Sequence, residues 1–242
     1  EFITSKLKEY NVNKILCTAT SALRDAKNGF KIKENLEKFF NIQIQIISGD
    51  EEAELVFFST KKEFDLTRDR VVIFDIGGGS TEVTILKSGI KKYQKSLNIG
   101  TVKGTERFIH SDPPKKQELN KLVTNINNNL AKLKKFKIDT GIGIAGTITS
   151  LSAIINRIEP YDSNKIHQST LTIEKIINCR KMLMADNLMS RKKIKGLDPE
   201  RAKVIPTGAL IAERVIETFG LKKIYVSDKG LRWGLMYKLM DS

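Results

Sequence analysis

The stretch Val71-Val72-Ile73-Phe74-Asp75-Ile76-Gly77-Gly78-Gly79-Ser80-Thr81-Glu82-Val83-Thr84-Ile85 decides the fold. Four apolar residues at 71–74 predict a buried strand, and Asp75 puts a carboxylate at its end. Three glycines then let the backbone turn tightly and bring N–H groups to an anion with no Cβ in the way. Ser80 and Thr81 add hydroxyl donors, and a second strand starts at Glu82. The loop lacks the Gly-Lys-Ser/Thr ending of a Walker A motif. A strand follows it instead of a helix, which excludes a dinucleotide fingerprint. A carboxylate beside a phosphate cradle points to a divalent metal, because Mg²⁺ takes one or two carboxylates together with phosphate oxygens.

Working outward, Gly143-Ile144-Ala145-Gly146-Thr147 is a second loop that follows an apolar strand and opens a helix. By itself Gly-Thr before a helix is an ordinary cap. Paired with the first loop, it reads as the second wall of one phosphate cleft. Upstream, Ser48-Gly49-Asp50-Glu51-Glu52-Ala53-Glu54 sets four carboxylates at a helix start capped by Ser48 or Asp50. Most of them are explained by favourable charge near a helix N-terminus. One that faced the cradle would act as a general base on water. The remaining pattern predicts strands at 14–20, 43–47, 90–97, 141–145 and 223–226. Helices are predicted through 34–40, 51–60, 115–134 and 231–239. This mixture argues an α/β fold in two lobes.

Composition bounds the rest. The chain has 242 residues, 42 Lys+Arg and 28 Asp+Glu, a net charge of +14, and 40% hydrophobic residues, enough for a core. No apolar run reaches the ~18–20 residues of a membrane span, so no membrane partner is expected. Two cysteines, Cys17 and Cys179, make neither a disulfide framework nor a cysteine zinc site, and a cytoplasmic location is expected. The basic residues are Lys-dominated and lack any nucleic-acid-binding signature, so no specific nucleic acid is expected. The densest basic stretches are residues 132–137 and 191–195. His110 and His167 have no motif partner and read as structural or surface residues.

A strand-turn-strand hairpin holding phosphate is the arrangement of the actin/sugar-kinase/chaperone ATPase superfamily. Within it, four blocks resemble the exopolyphosphatase/guanosine pentaphosphate phosphatase (Ppx/GppA) family in order and spacing. They are Thr20-Ser21-Ala22-Leu23-Arg24-Asp25-Ala26-Lys27-Asn28, Ser48-Gly49-Asp50-Glu51-Glu52-Ala53, the loop from Asp75 to Glu82, and the Gly143 loop. Gly196-Leu197-Asp198-Pro199-Glu200-Arg201-Ala202 and Val226-Ser227-Asp228-Lys229-Gly230-Leu231-Arg232 match as well, so the resemblance covers almost the whole chain. It implies a two-lobed actin-like (ribonuclease H-like) α/β fold, with residues 1–56 and the closing helix 230–242 in lobe I and residues 57–229 in lobe II. It implies Glu52 as the carboxylate that activates water and Arg24 as a cleft arginine suited to bidentate phosphate contact. Asp75 and Glu82 fall on the metal-organising acids. Gly77, Gly78, Gly79, Ser80 and Thr81 fall on the phosphate loop, with Gly146 and Thr147 on the second loop.

The implied activity is Mg²⁺-dependent release of terminal phosphate from inorganic polyphosphate, or of the 5′-γ-phosphate from guanosine pentaphosphate. The residues 132–137 and 191–195 are then candidates for a track along a phosphate chain. A homodimer is left open. A second reading is a non-catalytic alarmone or nucleotide sensor, binding guanosine pentaphosphate or tetraphosphate in the same cleft. Two departures from the family pattern stand out. Trp233 occupies a position where the family usually has an acid. The family's first Asp-x-Gly-Ser-Asn-Ser loop has no counterpart in residues 1–10, so lobe I is expected to be incomplete at its N-terminus, which leaves the activity of this chain by itself open.

Overall fold

The computed structural model describes residues 2–67 and 69–241. The chain opens with α1 (Phe2–Glu9), β1 (Cys17–Ala19), α2 (Ser21–Arg24), α3 (Gly29–Phe40) and β2 (Ile44–Ile46). The predicted strands at 14–20 and 43–47 contract to these three-residue pieces, paired in parallel with Cys17 opposite Ile44 and Ala19 opposite Ile46. α3 stops at Asn41, whose left-handed φ of 52° suits asparagine better than most side chains.

Next comes α4 (Gly49–Glu63), started by a capping box in which the Ser48 hydroxyl accepts from the Glu51 amide and the Glu51 carboxylate accepts from the Ser48 amide. The helix runs without interruption across position 56, where the expected lobe boundary lies.

A second sheet follows. β3 (Arg70–Ile76), β4 (Thr81–Lys87) and β5 (Ile90–Leu97) form an antiparallel meander, then α5 (Thr101–Phe108) and α6 (Lys116–Leu130) lead to β6 (Thr140–Ile144). α7 (Ala145–Asn156), α8 (Ser163–Ile166), β7 (Thr170–Thr172), α9 (Ile173–Ala185), α10 (Leu188–Arg191), α11 (Ile205–Thr218), β8 (Lys223–Ser227) and α12 (Leu231–Met240) complete the chain. The six strands run in the order β5-β4-β3-β6-β8-β7, with β3, β6 and β8 parallel. β7 is an antiparallel edge strand too short for any period-2 pattern to announce it.

Alternation along β3 sorts the core. Val72, Phe74 and Ile76 face a large apolar cluster with Leu122, Ile126, Ile148 and Ile211 from the flanking helices. Val71 and Ile73 face the other way, joining Val56 of α4 and Ile142 and Ile144 of β6, with Leu231 of α12 against them. Asp75 shares the parity of Val71 and Ile73, and Glu82 stands directly opposite Asp75 in register. Both acids therefore belong to the sheet face that α4 covers. At 25 cal/mol per Å², each fully buried aliphatic side chain in these clusters contributes about 1.5–3 kcal/mol.

Candidate active site

The carboxyl ends of β3, β6 and β8 come side by side, and the loops that leave them define a cavity of about 780 Å³. Its lining includes Glu52, Asp75, Gly77, Gly146, Arg201 and Asp228. A crevice outside the carboxyl ends of parallel strands is where open α/β sheets bind ligands.

The acidic run at the start of α4 resolves into separate jobs. Glu51 is the cap, and Glu54 pairs with Lys91 on β5. Glu52 turns into the cavity. Gly49 makes this possible: a Cβ there would collide with the Ser96 side chain, so only glycine lets the helix start approach β5 and Glu82 this closely.

Glu52 and Asp75 line the cavity and Glu82 is buried beside Asp75, a group of three carboxyls with too little positive charge to balance them. Burial and the neighbouring Glu82 charge raise the Glu52 carboxyl to about 7, against the opposing Arg24. Asp75 is pushed well above the usual range by burial and then by Glu82 and Glu52. Glu82 is raised by burial, with the hydroxyls of Ser96 and Ser80 pulling the other way. Glu82 accepts a 2.6 Å bond from Ser96 on one oxygen. The other oxygen of Glu82, and Oε2 of Glu52, are buried without a hydrogen bond. Arg24 stands 3.5 Å from that Glu52 oxygen and spends a 2.8 Å bond on the Ile47 carbonyl. Buried carboxylate oxygens with no donor are costly unless a cation or a proton meets them.

The glycine turn is held from behind. Gly77 donates to the Ser80 carbonyl, while the first amides of α5, at Thr101, Val102 and Lys103, donate to the carbonyls of Gly77 and Gly78. The turn's carbonyls are thus engaged, and among the described residues the amides of Gly78 and Gly79 find no backbone acceptor. Across the cavity, Ala145 opens α7 with a left-handed φ of 65°, and Gly146 follows it in the first turn. The Arg201 guanidinium lies where a Gly146 Cβ would be, so glycine is required there for the arginine to reach the helix start.

The hydroxyl expected of Thr81 is engaged elsewhere, and so is that of Thr147 on the second loop. Thr81 gives its hydroxyl to the Ile99 carbonyl at 2.7 Å, and Thr147 gives its own to the Ile76 carbonyl at 2.8 Å; both side chains are buried. They brace the two loops and do not project into the cavity. The basic stretch at 191–195 is corrected in part as well. Arg191 is buried and holds the carbonyls of Leu183, Asp186 and Ala202 together with Asp112, so it is an internal fastener.

Sequence reading missed the far wall. Tyr161 donates to the Asp228 carboxylate, and burial followed by that bond pushes the phenol up to about 12. Arg201, Arg232 and Asp198 also line the cavity. Their signal was present, since all three fall in the matched blocks at 196–202 and 226–232, but block membership alone assigned them no task. Ser21, one residue into its block, has its hydroxyl against Gly79.

The chain as a whole is similar to known proteins. The model of the Ppx/GppA phosphatase family matches residues 3–242. The chain belongs to the Ppx/GppA phosphatase family. The solved Ppx/GppA protein of Aquifex aeolicus superposes with a TM-score of 0.85 at 29% identity, covering 99% of this chain and 78% of that one. An exopolyphosphatase from Cytophaga hutchinsonii gives 0.91 at 26% identity, over 99% and 79%. In sequence, a bifunctional 3-dehydroquinate synthase/phosphatase of Fusobacterium nucleatum is 40% identical over 222 residues, 88% of this chain and 33% of that protein. Exopolyphosphatase 2 of Mycobacterium tuberculosis is 29% identical over 95% of this chain and 76% of its own length. The chain thus spans a third of the Fusobacterium protein and about three quarters of the mycobacterial one. The α/β class and the family fold stand as the sequence implied. Among the described residues, no helix is long and apolar enough to cross a membrane.

Proposed function

We propose that this cleft hydrolyses a terminal phosphoanhydride, releasing orthophosphate from inorganic polyphosphate or the 5′-γ-phosphate from guanosine pentaphosphate. The observation that carries the reading is the trio Glu52, Asp75 and Glu82 beside a glycine turn, with one oxygen of Glu52 and one of Glu82 buried and accepting no hydrogen bond. Glu52, with a carboxyl raised to about 7, is matched to a general base working near neutral pH. It accepts a proton from water as the water oxygen bonds to the terminal phosphorus and the bridging P–O bond breaks. The shortened chain leaves on its own phosphate oxygen. Arg24, beside Glu52, offers its guanidinium to the terminal phosphate oxygens, and the amides of Gly78 and Gly79 point charge-free donors at the same anion.

The residues present fit a divalent cation such as Mg²⁺. Asp75 and Glu82 are adjacent buried acids, each raised by burial, and Glu82 has an oxygen that accepts no hydrogen bond. Mg²⁺ takes one or two carboxylates and completes its shell with waters and phosphate oxygens. Held by Asp75 and Glu82, it would neutralise charge on the phosphate being transferred.

The test is phosphate release from polyphosphate and from guanosine pentaphosphate with Mg²⁺, comparing the protein with Glu52→Gln. Release at the variant's level by the wild type would remove the reading. Tight guanosine tetraphosphate binding without any release would replace it with an alarmone sensor.

A further inference from the structure

His167 has no counterpart in the mechanism above, yet it is tied into the cleft wall. It follows α8 and is largely buried, with its side chain 16% exposed. Nδ1 lies 3.3 Å from the Asp228 amide nitrogen, and Nε2 lies 3.2 Å from Oε2 of Glu63. A backbone amide can only donate, so Nδ1 must present its lone pair. Glu63 also takes Lys229 at 2.8 Å and the Tyr237 hydroxyl. Burial pushes the Glu63 carboxyl up, but Lys229, Tyr237 and His167 outweigh it and hold it below its usual range. An ionised carboxylate only accepts, so Nε2 carries the proton.

We propose that His167 is a positioning residue: as the Nε2–H tautomer it holds the backbone of Asp228, and with it the Tyr161–Asp228 wall of the cleft. Its two ring nitrogens bridge α4 and the β8–α12 loop, Nδ1 accepting from the Asp228 amide and Nε2 donating to Glu63. Glu63 on α4 is held in turn by Lys229 of that loop. Tyr237 on α12 stays neutral, and the Asp228 carboxylate is engaged by Tyr161. The Phe64 ring packs edge-on at 5.8 Å and limits water on that side. Asp228 touches the cavity but is not among the carboxylates at its floor, so the effect falls on substrate binding more than on turnover.

Activity readouts rest on the phosphohydrolase reading; the spectroscopic ones do not. The sequence has two histidines, so His110→Gln leaves His167 as the sole imidazole in a ¹⁵N-histidine spectrum. The expected tautomer is Nε2–H, and the hydrogen-exchange protection of the Asp228 amide falls about 3–10-fold in His167→Phe. His167→Phe raises KM by a similar factor, with kcat within about twofold. His167→Asn, which keeps an acceptor near Nδ1, restores both KM and the protection. An Nδ1–H tautomer, or Asp228 protection unchanged in His167→Phe, overturns the proposal. If the wild type releases no phosphate, the functional reading fails and the tautomer and exchange results still decide the role of His167.

Discussion

One helix carries two glutamates with opposite fates. Glu52, in the first turn of α4, is a carboxyl that its surroundings fail to satisfy: an oxygen without a hydrogen bond, two like charges nearby, and a value raised to about 7. Glu63, about three turns on at the other end, is surrounded by Lys229, Tyr237 and His167 and held below its usual range. Both side chains are 13% exposed. At Glu52 burial dominates and the Glu82 charge adds to it against Arg24, while at Glu63 three partners outweigh burial. A fold that can neutralise a buried glutamate this fully at one end of a helix, and leaves another frustrated at the other end, is spending stability where a ligand is expected.

The largest effect expected of this contrast is on turnover. Glu52→Gln should lower kcat for phosphate release by about 10²–10⁴-fold, the range for a lost general base, while substrate binding changes little. Release kinetics at saturating substrate would check it, and a variant with near wild-type kcat would put Glu52 outside the chemistry. Next comes the cation. With Mg²⁺ at about 100 times its Kd, the wild type should gain about 5–10 °C in thermal midpoint. Asp75→Asn or Glu82→Gln should lose most of that gain, measured by calorimetry without substrate. An unchanged Mg²⁺ response would mean that the ion is held elsewhere.

A third effect is on stability itself. The folded-state value of Glu52 lies above its unfolded one, so the folded protein binds the extra proton and stability falls as pH rises between about 4.5 and 7. Removing the charge should therefore stabilise the metal-free protein by about 2–3 kcal/mol above pH 7, with no gain near pH 4. Denaturant unfolding of Glu52→Gln at the two pH values measures it. A variant less stable than wild type at neutral pH would show that the Arg24 contact outweighs burial.

How much of this could be seen in the sequence depends on the range of the interaction concerned. The hairpin around the glycine turn was legible because strand, turn and strand are contiguous, and β5 appears at the predicted 90–97. The role proposed for Glu52 rests on its place in a motif. What separates it from Glu51 and Glu54 does not, because that depends on a capping box and on Lys91 across the sheet. Thr81 reads as a hydroxyl donor and Thr147 as part of the second loop, and only tertiary packing reveals the carbonyls of Ile99 and Ile76 that claim their hydroxyls. Arg191 looked like surface charge because its run is basic, yet its acceptors lie on the α9–α10 turn, at Ala202 and at Asp112. Glu63, His167 and Lys229 meet across more than a hundred residues, and no local pattern encodes such a meeting.

The smallest expected effect tests the satisfied end of the helix. Glu63→Gln keeps the shape but gives up the charge that Lys229 and His167 rely on, and it should cost about 1–2 kcal/mol at pH 7. Its pH dependence must run opposite to that of Glu52. The Glu63 carboxyl is depressed in the folded state, so its contribution is present above the unfolded value near 4.5 and is lost as pH falls through the lower folded value. Wild type and variant should therefore converge in acid and diverge toward neutrality, with the wild type the more stable. Lys229 would still have the Trp233 ring, 4.6 Å from its ammonium, which keeps the loss modest. If unfolding curves for Glu52→Gln and Glu63→Gln moved in the same direction with pH, the two ends of α4 would share one electrostatic character, and the case for the first as a ligand site would lose its physical ground.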